Sequence, residues 1–183
     1  EVQGLEAAVT AMRQGLDLAT RYVAQGKAVA LGEIGRPHFP VGPEIVKACN
    51  EVMRYAMEAA KRLGCAVILH TEDPTPETFA EFAAIATAAG LDRNRVVKHH
   101  STPLTRAEDT HGLVPSILAK EELVTEALRG TPAFLLETDY IDDPRRPGAV
   151  LGPATVPKKT RAWIEKGVMS EDQAWVIHKE MPE

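Results

Sequence analysis

Ala66-Val67-Ile68-Leu69 runs directly into His70. A short unbroken apolar run bounded by turn residues is the pattern of a strand buried on both faces, as in a parallel sheet. A helix precedes it. Pro43 suits a first helical turn, and Ile45, Cys49, Val52, Met53, Ala56, Ala60 and Leu63 give one apolar face before Gly64 closes it. The same unit recurs on both sides. Upstream, the spacing of Leu5, Ala8, Val9, Met12, Leu16, Ala19 and Val23 predicts an amphipathic helix from Leu5 to Val23. Lys27 to Leu31 then reads as a strand, with Gly32-Glu33-Ile34-Gly35 as the turn beyond it. Downstream, a helix from Pro76 carries Phe79, Phe82, Ile85, Ala86 and Ala89 and ends at Gly90. Arg95-Val96-Val97 begins a strand that reaches His99-His100. Leu113 to Ile117 is a weaker strand and Lys120 to Leu128 a helix; Ala133 to Leu136 is a last strand, reaching Glu137-Thr138-Asp139. A loop rich in proline and arginine leads to Pro157, and two helices follow, the second capped by Ser170.

Strands alternating with helices imply an α/β fold with a parallel sheet. Either an open doubly wound sheet or a (β/α)8 barrel fits that alternation. The strand ends favour the barrel. Glu33, His70, a histidine of the His99-His100 pair and Asp139 each follow their own strand. A closed barrel brings such residues to one mouth, whereas an open sheet spreads them across its width. Imidazoles and carboxylates without cysteine suit zinc and similar divalent ions in an open, reactive site. A metal there lowers the pKa of bound water and polarises the electrophile; Asp139 is placed to hold metal and take the water's proton. A bridging Glu33 would hold two ions roughly 3.5–4 Å apart. Strand alternation lets one of His99 and His100 face the interior, not both.

The 183 residues suit one domain spanning 1–183. A formal net charge of −5 argues against general nucleic-acid binding by the whole surface, though not against a local basic patch. Cys49 and Cys65 lack metal-like spacing, which suits reduced thiols in a cytoplasmic protein. No apolar run reaches the ~18 residues that span a membrane. The chain opens at Glu1 and stops at Glu183 as though cut from a longer protein.

The strings "ALGEIGRPHF", "AVILHTED", "RVVKHHS" and "FLLETDY" resemble, in order, the motifs of the TatD-related branch of the amidohydrolase superfamily. That resemblance implies a (β/α)8 TIM barrel here lacking roughly its first two or three strands. It also implies one or two divalent ions (zinc, manganese or magnesium) and a metal-activated water attacking a phosphodiester, as in a deoxyribonuclease, or a related ester. Small-molecule or nucleic-acid phosphoesters are the implied substrates. Residue by residue, Glu33 matches the metal-bridging glutamate, His70 the fifth-strand histidine and Asp139 the eighth-strand aspartate. "HHST" resembles the His-Ser endings of related hydrolases, which points to His100, with His99 as the alternative. The family's first-strand His-x-His and its His-Cys-Phe-Ser-Gly string are absent here, which implies a divergent subgroup, archaeal in flavour. A lactonase, phosphotriesterase or amidase of the same superfamily is the alternative activity, and a non-catalytic fragment the alternative of another class.

Arg36 and His38, just beyond Glu33, are candidates to grip a substrate phosphate or carboxylate, against an ordinary surface loop. Arg145 and Arg146, with Lys158 and Lys159, form a basic stretch suited to a phosphate-rich substrate, against a solvated proline-stiffened loop. Glu137 reads as structural; Glu72 and Asp73 are candidates to orient the His70 imidazole, against the favoured reading of a helix start. Trp163 and Trp175 are expected to pack against the outside of the barrel.

Overall fold

The computed structural model describes residues 4–143, 145 and 151–183. They form two compact units, Glu1–His99 with His111–Leu113, and His100–Thr110 with Val114–Glu183.

In the first unit the order is α1 (Leu5–Ala24), β1 (Ala30–Gly35), α2 (Pro43–Leu63), β2 (Ala66–His70), α3 (Pro76–Ala89) and β3 (Val96–Lys98). β1 pairs with β2 and β2 with β3, all in parallel. Local chemistry sets the helix ends. Pro43 opens α2, and Gly64 ends it in the left-handed conformation (φ 67°), its N–H donating to the Ala60 and Lys61 carbonyls. α3 starts where the Thr75 hydroxyl accepts from the Thr78 N–H, and ends at Gly90. Of the apolar stripe read on α2, Val52, Met53, Ala56 and Ala60 are buried, with Met57 beside them, while Ile45, Cys49 and Leu63 are half-buried; α3 buries Phe79 and Phe82. Burial stabilises by about 1.5–3 kcal/mol for each large apolar side chain. α1 buries no residue fully, and its Asp17 accepts a 2.6 Å hydrogen bond from the Tyr55 hydroxyl of α2.

β1 differs from the sequence expectation. The strand was expected over Lys27 to Leu31, yet it runs Ala30–Gly35, and Val29 is 89% exposed. Gly32 to Gly35, read as a turn, are part of the strand itself. The reason is close packing against β2. A Cβ on Gly32 would stand 2.8 Å from the Ile68 Cβ, and one on Gly35 would overlap the His70 carbonyl oxygen. Glycine at both positions lets the two strands close on each other.

The second unit holds α4 (Ala107–Thr110), β4 (Val114–Leu118), α5 (Glu121–Ala127), β5 (Leu135–Glu137), α6 (Thr155–Glu165) and α7 (Glu171–Trp175). α7 continues into a π-helical turn, Val176–Glu180. β4 and β5 are parallel, with Ile117 opposite Leu136. Ile117, Val124, Phe134, Trp163, Met169 and Ile177 make its core. Trp163 is buried, its indole N–H donating to Glu121 (3.2 Å), whereas Trp175 is 59% exposed and does not pack as expected. Ser170 and Gln173 form a reciprocal capping box at the start of α7.

Gly35→Ala is expected to lower unfolding free energy by about 1–3 kcal/mol, because the new methyl meets rigid backbone. Gly15→Ala, in the exposed face of α1 with nothing within 4 Å, should raise it by about 0.5–1 kcal/mol. Urea denaturation of both variants checks the pair.

Candidate metal centre

The centre begins with a register slip. Leu31 lies opposite Val67 and Ile34 opposite Leu69, so β1 spends three residues where β2 spends two. Leu31 and Ile34 therefore both point into the core (1% and 7% exposed), and the extra residue leaves Glu33 facing out. Bulges re-aim side chains in this way beside functional sites. β2 delivers His70 at its last position. Just past β3, the His99 N–H donates to the Leu69 carbonyl at 3.0 Å, which fixes where its imidazole begins.

The three side chains meet. His70 Nδ1 lies 3.2 Å from Glu33 Oε2, and His99 Nε2 lies 3.5 Å from Glu33 Oε1. The imidazoles stack with centroids 5.4 Å apart and planes 27° apart. One ligand atom from each residue falls within 4.8 Å of the others. Two donors bound tetrahedrally to one ion at 2.0–2.1 Å stand roughly 3.4 Å apart, which the two Glu33–histidine separations match, each through a different carboxylate oxygen. Two imidazoles and a carboxylate are the donor set of zinc-like ions, and three protein ligands leave a position for substrate or water. Burial is uneven: the His99 side chain is 9% exposed, against 45% for His70 and 50% for Glu33.

His38 presents its ring edge-on to His70 at 5.8 Å and to Phe39 at 5.6 Å, and is itself exposed. Arg36 is otherwise engaged. Its guanidinium donates to both Glu72 oxygens, both Glu81 oxygens and Asn50 Oδ1, and lies 5.0 Å from the Phe82 ring centre. The hydrogen bond to Glu81, with Glu72 beside it, holds the Arg36 pKa above its ordinary value. Arg36 in turn holds the Glu81 carboxyl below its ordinary value of 4.5.

The remaining sequence candidates lie in the second unit. His100 is exposed, adopts a left-handed backbone (φ 50°) and donates its N–H to Glu137 Oε1 at 2.9 Å. Glu137 also accepts from the Ser116 hydroxyl, so it ties β5 to β4. Asp139 is half-buried and also left-handed (φ 50°), a conformation that aspartate adopts more readily than most residues. Arg145 is 87% exposed and paired with Asp143 at 3.0 Å. Arg146 lies outside the described residues. Lys159 donates to the Ala119 carbonyl at 2.9 Å.

Sequence reasoning missed Lys98. It is 1% exposed, and its ammonium reaches the His99 carbonyl at 2.5 Å and the Thr71 carbonyl at 3.5 Å. A charged residue directly after Val96-Val97, inside a strand, was the available signal. Glu81 and Asn50, the far partners of Arg36, carried none; each reads as an ordinary polar helix residue.

Residues 5–183 match the TatD related DNase family model, and the chain belongs to that family, one of metal-dependent hydrolases. An uncharacterized protein of Methanocaldococcus jannaschii is 48% identical over 155 residues, covering 83% of this chain and 54% of its own length. The chain thus spans about half the length of that relative. Among solved structures it is similar to an organophosphorus hydrolase from Deinococcus radiodurans (TM-score 0.62, 16% identity, 85% of this chain, 54% of that one). It is also similar to a phosphotriesterase homology protein from Escherichia coli complexed with phosphate in its active site (TM-score 0.59, 18% identity, 85% and 58%). A weak promiscuous lactonase template engineered for organophosphate hydrolysis gives a TM-score of 0.64 at 18% identity, over 85% and 56%. These likenesses show the fold, an α/β arrangement corresponding to part of a (β/α) barrel.

Because Glu81 has a lowered pKa in the folded state, its pairing contributes fully above the unfolded carboxyl pKa. That contribution is lost as pH falls through the lowered folded value. The stability advantage of the wild type over Glu81→Gln should therefore be largest near pH 7 and shrink steadily below about pH 4.5. Urea denaturation of both proteins across that range checks it.

Proposed function

We propose that this chain carries the metal-binding end of a metal-dependent hydrolase acting on phosphoesters, either nucleic-acid phosphodiesters or small-molecule esters. The observation that carries this reading is the meeting of Glu33 from within β1, His70 from the end of β2 and His99 from just past β3, their ligand atoms within 4.8 Å of one another. These three hold the ion. His99 is preferred to His100 because its imidazole faces Glu33, whereas the backbone N–H of His100 is tied to Glu137. Asp139 is assigned as a further ligand and as the base that takes the proton from the attacking water, on the strength of its Glu-Thr-Asp string. A divalent ion, zinc, manganese or magnesium, in one or two copies, supplies Lewis acidity that acidifies water and polarises the ester. His38, edge-on to His70, and the basic residues Arg145 and Arg146 are assigned to the substrate's anionic groups. Arg36 is not, since its guanidinium is committed within the protein. The whole chain, 1–183, is assigned to a single partial-barrel domain, working in the cytoplasm. No helix among the described residues is long and apolar enough to cross a membrane.

A second reading, a lactonase or phosphotriesterase, is favoured by the likeness to the engineered lactonase and the organophosphorus hydrolase. Metal-depleted protein resupplied with zinc, manganese or magnesium separates the two on an oligodeoxynucleotide, bis(p-nitrophenyl) phosphate, a phosphotriester and a lactone. The leading reading predicts metal-dependent cleavage of the phosphodiesters. Cleavage of lactone or triester alone supports the second, and no metal-dependent turnover refutes both. Asp139→Asn should lower kcat by about 10²–10⁴ with the fold retained; full activity in that variant removes its assigned role. His99→Ala should weaken metal binding more than His100→Ala does.

A further inference from the structure

We propose that Arg36 is a positioning residue for the metal centre, setting the separation of Glu33 and His70 through a fork of charge-assisted hydrogen bonds. The inference rests on the metal-centre reading above. Arg36 stands three residues past Glu33, in the turn where β1 ends, and its backbone N–H donates to the His70 carbonyl at 3.2 Å. Its side chain makes a second tie to the same loop. Nε lies 3.0 Å from both oxygens of Glu72, two residues past His70, and Nη2 lies 2.5 Å from Oε1. The two ties close a small ring of chain from Arg36 to His70 and Glu72, which fixes the His70 loop three residues past Glu33. The ring is anchored in turn to the helices. Nη1 and Nη2 each meet a Glu81 oxygen of α3 at 2.8 Å, and Nη1 meets Asn50 Oδ1 of α2 at 3.2 Å. Asn50 closes the network by donating to Glu81 at 2.9 Å.

Physical chemistry makes this arrangement sensitive to one residue. Two carboxylates share one guanidinium whose side chain is only 8% exposed, so removing it leaves like charges facing each other beside the His70 loop. Arginine offers five N–H donors in a rigid plane, and all three of its nitrogens are engaged here. Lysine retains the charge but not the fork, and reaches one carboxylate at a time. Partners that orient metal ligands typically cost roughly 10- to 100-fold in metal affinity when removed.

The test is titration of the purified protein with Co(II), followed by its visible absorption, together with thermal unfolding. The proteins compared are wild type, Arg36→Met, Arg36→Lys and Glu81→Gln. Arg36→Met is expected to unfold cooperatively yet bind Co(II) about 10- to 100-fold more weakly, with a changed spectrum. Arg36→Lys should recover only part of the loss, and Glu81→Gln, lacking one anchor of the fork, should fall between wild type and Arg36→Met. A residue that serves stability alone would lower the melting temperature and leave affinity and spectrum unchanged. Wild-type affinity in Arg36→Met, or full recovery in Arg36→Lys, overturns the proposal. If Arg36→Met does not fold, Glu81→Gln decides, and wild-type affinity there overturns it. A wild type that fails to bind Co(II) refutes the metal-centre reading instead.

Discussion

The close approach of β1 to β2 is the constraint on which the candidate centre depends. Without side chains at Gly32 and Gly35, the strands come near enough for the Arg36 N–H to reach the His70 carbonyl. The register slip between Leu31 and Ile34 keeps two apolar residues in the core and leaves Glu33 turned toward His70. A β-strand with strict alternation would place Glu33 on the same face as Leu31, in the core, where an ionised carboxylate is costly. The glycines and the slip together convert a buried strand into a carrier of one outward carboxylate.

Glu33 faces two imidazoles, while Arg36 binds two carboxylates and Lys98 binds two backbone carbonyls. Arg36 and Lys98 are cations with nearly buried side chains, tied to the loops that carry His70 and His99. Hydrogen-bonded cations at such depth hold backbone in place, since moving a loop would strand a desolvated charge.

The helices and strands were legible because their signals are local. Pro43 and Gly64 bracket α2, Pro76 and Gly90 bracket α3, and the apolar run before His70 is β2. β1 was misplaced because Gly32 and Gly35 read as turn punctuation, and their use is visible only against β2. Glu33 and His70 were singled out as residues following strands; His70 does end β2, whereas Glu33 lies within β1. Which of His99 and His100 turns its ring toward Glu33 was not legible: adjacent residues at a strand end differ only in which way the backbone turns, and here His100 takes a positive φ. The Arg36 network was invisible for a related reason, since Glu72, Asn50 and Glu81 come from three separate segments that only the fold assembles.

The central claim is that Glu33, His70 and His99 are ligands of one divalent ion. Zinc-edge anomalous diffraction from crystals of the protein grown with zinc tests it most directly. The account predicts a strong peak about 2.0–2.2 Å from His70 Nδ1, His99 Nε2 and a Glu33 oxygen. Zinc bound only elsewhere, with these three side chains holding no peak between them, would contradict it.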